Sequence, residues 1–132
     1  MNIFTQFYAF LQLRCAVQMA EKAHKANRTR YYVMPNAARK IRLIVTDRKN
    51  FRGLRQKGYI NPDMQMKDAM KYSFYYTSDA TGSNGMSEQW RVLKQIAYYE
   101  WYEKQLRKEK AIRKAKFAAF INKLCVWRRK SK

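Results

Sequence analysis

The sequence predicts a mostly helical α+β protein: an N-terminal helix, a β-hairpin, two short helices and a long basic C-terminal helix. Three observations lead there. Apolar residues recur at steps of three and four through residues 3–26 and again beyond residue 88. Between those segments, Tyr31 to Met34 and Ile41 to Val45 are runs of strand formers separated by Pro35-Asn36, a turn pair. A chain of 132 residues, 47% hydrophobic and 15% aromatic, can fill the core of one domain.

The N-terminal segment carries one stripe of Phe4, Tyr8, Leu11, Cys15 and Met19, with Ile3, Phe10, Leu13, Val17 and Ala20 beside it. A helix apolar around most of its circumference is expected to be central or shared with a partner chain. It turns polar after Ala20, and Asn27 is a C-cap residue type.

A hairpin follows, roughly 30–35 and 40–46, with helices covering one face because two strands alone are marginal. Thr46 or Asp47 can cap a helix of about three turns that Gly58 stops. Phe51 and Leu54 share its inner face, with Val45 or Ile60 nearby. Arg48, Arg52 and Arg55 lie at steps of four and three on another face. Asn61-Pro62 predicts a second helix start, with Met66, Met70 and Phe74 as its face. The aromatics of "KYSFYYTS" allow an extended end instead, and "SDATGSNG" is a loop.

Ser87 is expected to cap the last helix, which runs to about 127 without Gly or Pro. Its first half is aromatic, with Trp90, Tyr98, Tyr99, Trp101 and Tyr102 pointing around more than one face; these are candidate contacts to a partner protein. Residues 104–132 hold 12 Lys or Arg and a single acid, Glu109, and form a basic tail able to project from the domain. Leu106, Ile112, Phe117, Phe120, Ile121 and Leu124 keep the tail amphipathic, too irregularly for a strict heptad.

The net charge of +20 asks for an anionic environment. Nucleic acid, an acidic protein lattice and an anionic membrane surface are the three kinds that would serve. The candidate anion contacts are Arg48, Arg52, Arg55 and Lys57 on the short helix and Arg107, Lys110, Arg113, Lys114 and Lys116 on the tail. No zinc finger, RNP octapeptide or GXXG loop accompanies them, so sequence readout has no support. Residues 47–57 joined to 63–76 have the scale of a helix-turn-helix, which Pro62 makes less typical. A membrane partner is disfavoured, because core packing accounts for the apolar side of the tail.

Catalytic chemistry finds no foothold in the sequence. His24 has no carboxylate or cysteine placed to orient it and reads as a solvated side chain. Cys15, Cys125 and one histidine cannot make a metal site, so no metal, cofactor or enzyme activity is expected. The two cysteines read as separate reduced thiols. Gln6, Gln12, Arg14 and Gln18 interrupt the N-terminal apolar run, so neither a membrane span nor a signal peptide is expected, and a cytoplasmic-type protein is the default.

Three stretches are distinctive together: "RYYVMP" at 30–35, "LIVTDRKNFRGLRQKGYI" at 43–60 and "FYYTSDATGSNGMS" at 74–87. They resemble short basic proteins of crAss-like bacteriophages infecting Bacteroides-type gut bacteria. The likeness covers the middle of the chain and carries no catalytic motif. It implies a non-enzymatic phage structural protein, placed in the virion or the host bacterial cytoplasm, whose partners are other virion proteins or nucleic acid; an oligomer is compatible with it. The alternatives are a stand-alone nucleic-acid-binding protein of the infected cell and a small inhibitor of an acidic host protein.

Overall fold

The computed structural model describes residues 2–38 and 41–130. Lys40, where the second strand is expected to begin, and the last two residues of the basic tail lie outside the described residues. Helix α1 (Ile3–Asn27) starts where Asn2 caps it, its Oδ1 accepting from the Thr5 N–H at 2.8 Å. It ends on Arg28 in the left-handed region (φ 52°), whose N–H reaches the His24 carbonyl. The left-handed position therefore falls one residue after Asn27, the expected cap.

Strands β1 (Tyr31–Pro35) and β2 (Leu43–Asp47) pair antiparallel, with Val33 opposite Val45. The expected hairpin is present, and a third strand joins it. The two-residue β3 (Tyr75–Tyr76) pairs antiparallel on the other edge of β1, which makes the order β2-β1-β3. The extended alternative for "KYSFYYTS" is thus the one adopted.

Both faces of this sheet are covered, where only one was expected to be. Tyr32, Val33 and Met34 are all buried, the signature of a central strand between two layers. On one face Val33 meets Ala9, Leu13, Ala16 and Ala20 of α1, together with Phe74, Tyr98 and Tyr102. On the other, Tyr32, Met34 and Tyr76 meet Phe51, Ile60 and Ala69. Phe51 belongs to α2 (Arg48–Gln56), capped by Asp47 and stopped before Gly58, whose φ of +85° suits glycine.

The expected helix after Pro62 is displaced. Asn61 closes a turn instead: its carbonyl accepts from the Met64 N–H and its side chain from the Asp63 N–H, both at 3.0 Å. Helical structure begins only with a 3₁₀ turn at Met66–Asp68 and the four-residue α3 (Ala69–Tyr72). Met66, Met70 and Phe74 accordingly do not share a face. Met66 packs in the α2-side core, Met70 is exposed and Phe74 lies in the α1-side core. A second helix this short also removes the helix-turn-helix reading.

The loop at 79–84 is organised by Asp79, whose carboxylate accepts from the N–H groups of Thr81 and Ser83, the Thr81 hydroxyl and the Asn84 amide. These bonds hold its carboxyl well below the usual carboxylate range. Helix α4 (Glu88–Lys130) then starts with Ser87 Oγ accepting from the Trp90 N–H at 3.2 Å. It continues unbroken for 43 residues, about 65 Å at 1.5 Å per residue.

Candidate anion-binding surfaces

The short helix α2 presents its cations in two ways. Arg48, Lys49, Arg52 and Lys57 are exposed. Arg55 is not on that open face: its Nη1 donates to the Met64 carbonyl at 3.1 Å and its guanidinium lies 5.9 Å from the Phe51 ring centroid. Arg55 therefore ties α2 to the turn after Asn61, and its place among the outward arginines is corrected. Phe51 packs inward at the same time, so the helix is pinned by its apolar face and by one of its own cations.

The second surface is the distal half of α4. From Lys110 to Arg128 every residue is exposed, and the stretch holds six Lys or Arg and no acid. Arg107 pairs with Glu103 at 3.0 Å and Arg113 with Glu109 at 3.1 Å, each one turn away, so these two cations carry their own carboxylates. Such exposed pairs are worth about 0.3–0.5 kcal/mol and leave the local charge positive. Lys110, Lys114 and Lys116 are exposed with no acid after Glu109. Arg107, Lys110 and Arg113 also border a recess of about 410 Å³ where Asn2 and Thr5 bring the N-terminal end of α1 against α4. The positive end of the α1 dipole adds to the same field.

The two surfaces are not brought together. Helix α2 lies on one face of the sheet and α4 on the other, so the nine candidate cations form two separate patches.

The aromatic half of α4 divides. Tyr98 is fully buried and donates from its hydroxyl to the Ala9 carbonyl at 2.7 Å; Tyr102 is buried beside it. Phe74 meets the Tyr98 ring edge-on at 5.3 Å. Tyr98 and Tyr102 are thus core residues rather than contacts to a partner. Tyr99 and Trp101 are half-buried, and Trp90 is exposed, with the Lys94 ammonium 5.0 Å from its ring centroid.

Several polar residues with definite roles give no sign of them in the sequence. His24 is not a free solvated side chain. Its Nδ1 lies 2.8 Å from the Thr29 carbonyl, which can only accept, so Nδ1 donates there, and Nε2 shares a hydrogen bond of 3.0 Å with the Ser78 hydroxyl. Arg30 donates to the Asn84 carbonyl at 2.5 Å and stacks 5.2 Å from the Tyr76 ring. Arg91 covers Tyr75, whose hydroxyl donates to Glu21. Partners more than forty residues away link His24 to Ser78 and Arg30 to Asn84, and no local spacing announces them.

Leu106 packs against the α1-side core, but beyond it the apolar side of the tail does not. Phe117 is 66% exposed and Trp127 68%, with Phe120, Ile121 and Leu124 exposed between them. Among the described residues no helix is long and apolar enough to cross a membrane, and no group of three or more His, Cys, Asp or Glu is placed to hold a metal ion. Comparison with protein families, with characterised proteins and with solved structures finds no match.

Proposed function

We propose that the chain is a non-enzymatic structural protein of a bacteriophage particle, and that it holds an anionic polymer, packaged DNA foremost, along the distal half of α4. The observation that carries this reading is the stretch from Lys110 to Arg128: exposed throughout, with six cations and no acid. At about 1.5 Å per residue it presents roughly 28 Å of cationic helix, comparable to several phosphate spacings of a duplex. The exposed Arg48, Lys49 and Arg52 on the far side of the sheet supply a second phosphate-holding patch. A chain with two such patches can bridge strands or join nucleic acid to an acidic shell. The middle-segment resemblance to small basic phage proteins supports the particle assignment. Supporting the absence of catalysis, His24 has both ring nitrogens engaged in hydrogen bonds that close the end of α1.

The test is affinity for a short DNA duplex as a function of salt. Six phosphate contacts give a slope of about −5 in log K against log salt, hence a loss of about 10³-fold between 50 and 200 mM. Replacing Lys110, Lys114 and Lys116 by Gln should flatten the slope by nearly 3, at about 0.9 per contact. Binding that vanishes by physiological salt would refute the DNA assignment and point to an acidic protein. Fixed stoichiometry in purified particles separates the structural role from a free nucleic-acid-binding protein of the infected cell.

A further inference from the structure

Helix α4 has a seam that runs most of its length, exposed at both ends and half-buried at Tyr99, Glu103 and Leu106. Positions 92, 96, 99, 103, 106, 110, 113, 117, 120, 124 and 127 follow alternating steps of four and three, a repeat that drifts about 20° per heptad around a straight helix and forms one continuous contact line when two helices wind around each other. The seam is apolar at both ends: Val92, Ile96 and Tyr99 at one, and Phe117, Phe120, Leu124 and Trp127 at the other. Its middle is charged, with Lys110 and Arg113 beside Leu106 and Glu103. Ile96 is 51% exposed and Phe120 56%, a large apolar surface for a chain of this size.

The two ends have different surroundings. At the first, α1 lies alongside, and Ile3, Phe7 and Phe10 join Ile96 and Tyr99 in an open groove of about 700 Å³ edged by Glu100 and Glu103. At the second, the helix stands clear of α1, and Lys116 and Lys123 flank the apolar residues with no acid nearby. One end is a groove with an acidic edge; the other is a ridge with basic flanks. The ridge cannot fold into its own groove, because both belong to one unbroken helix, with about 20–45 Å between them at 1.5 Å per residue.

We infer that a second copy of this chain fills the groove, through an antiparallel pairing of two α4 helices about a twofold axis beside Lys110. The seam is symmetric, to within half a residue, about a point between Glu109 and Lys110. Reversing one copy sets Val92 against Trp127, Ile96 against Leu124, Tyr99 against Phe120 and Glu103 against Phe117. Glu100 and Glu103 then lie level with the 116–123 stretch of the other copy, which holds two lysines and no acid. Each ridge enters the groove of the other chain, so the contact is isologous and closes at two copies. The paired strip is about 54 Å long and about one helix diameter wide. With the α1 side of the groove added, it approaches the scale of a specific interface, about 800 Å² a side. A parallel pairing would instead oppose the two basic ridges. At the axis Arg107, Lys110 and Arg113 of both copies converge, so salt strengthens this association while it weakens nucleic-acid binding.

The experiment is sedimentation equilibrium of the full chain at 5–100 µM, in 50 and 300 mM NaCl. A dimer of the 15.9 kDa chain is expected, tighter at the higher salt. Leu124→Glu and, separately, Ile96→Lys should each weaken it at least tenfold, with helical circular dichroism unchanged because both positions are exposed. The register is tested with Ile96→Cys plus Leu124→Cys in a Cys15→Ser, Cys125→Ser background. These two positions are about 42 Å apart within one α4, so oxidation can only join chains, and a covalent dimer is expected. A monomer at 100 µM, a dimer indifferent to Leu124→Glu, or an open ladder of cross-linked species would each overturn the pairing. So would a monomer that floats with phosphatidylglycerol vesicles and loses that binding in Leu124→Glu, which would assign the ridge to a lipid surface.

Discussion

Tyr98 joins the three parts of the α1-side core: it lies against Phe74, packs within α4 and holds the Ala9 carbonyl of α1. Burial pushes its phenol up, and Tyr75, half-buried with its hydroxyl on Glu21, is pushed up to about 12. The neutral phenol is therefore the form the fold prefers. Below about pH 10, the ordinary tyrosine value, folded and unfolded chains both keep these protons, so stability from this source is fully present. Above it the unfolded chain releases protons that the folded chain retains, and stability falls as the pH rises from 10 through about 12. Urea midpoints at pH 8, 9.5, 10.5 and 11 should show a plateau and then a decline. Tyr98→Phe should start lower by about 1 kcal/mol, from the lost hydrogen bond, and decline less steeply. A wild-type midpoint constant to pH 11, or a variant with the same slope, would remove the tyrosines from this account.

At the scale of elements, α2 shows how much a short segment can specify. Asp47 both ends β2 and caps the helix, its Oδ1 accepting from the Asn50 N–H at 3.0 Å and the Asn50 side chain at 2.8 Å. Asp47→Ala should cost about 1 kcal/mol, within a range of about 0.5–2, measured by urea unfolding. A change below about 0.3 kcal/mol would mean that Phe51 alone seats the helix. This element was readable because cap, apolar pair and terminal glycine all fall within a dozen residues. The hairpin and α4 were readable for the same reason. Helix α1 was found, but its inward face only in part: Leu13, Val17 and Ala20 of the second stripe turn inward, while Ala9 and Ala16 belonged to neither stripe. The bulky stripe of Phe4, Tyr8, Leu11, Cys15 and Met19 faces outward, and the core takes Ala9, Leu13, Ala16 and Ala20. Small residues let the helix approach the sheet and α4 closely, and a search for large apolar side chains passes over them. Strand β3 was visible only as an alternative, because its pairing with β1 spans more than forty residues. Of the candidate sites, the exposed cations on α2 and α4 could be found from composition alone. Arg55 could not be sorted from Arg48 and Arg52, since the carbonyl it holds belongs to a turn that periodicity cannot place.

For the whole molecule, charge decides more than any single contact. Twenty-nine basic residues meet nine acidic ones, and Glu103 and Glu109 lie in ion pairs one turn from their arginines. Repulsion between the α2 and α4 patches acts through and around the sheet. The screening length is about 30 Å at 10 mM salt and about 10 Å at 100 mM, so the patches sense one another only in dilute buffer. Thermal stability should therefore rise with salt, by several degrees between about 10 and 300 mM, since about 1 kcal/mol moves the midpoint of a domain this size by roughly 4 °C. Leu124→Glu is the form to use, so that association does not contribute to the shift. Inorganic polyphosphate at 10 mM salt should give at least the same rise, because a ligand that binds only the folded state adds RT ln(1 + [L]/Kd). Its effect should shrink to nothing by 300 mM salt, where the phosphate contacts are screened. A melting temperature that falls as salt is added would show that the short-range pairs outweigh the long-range repulsion. The +20 charge would then be a property of the isolated faces rather than a force on the fold.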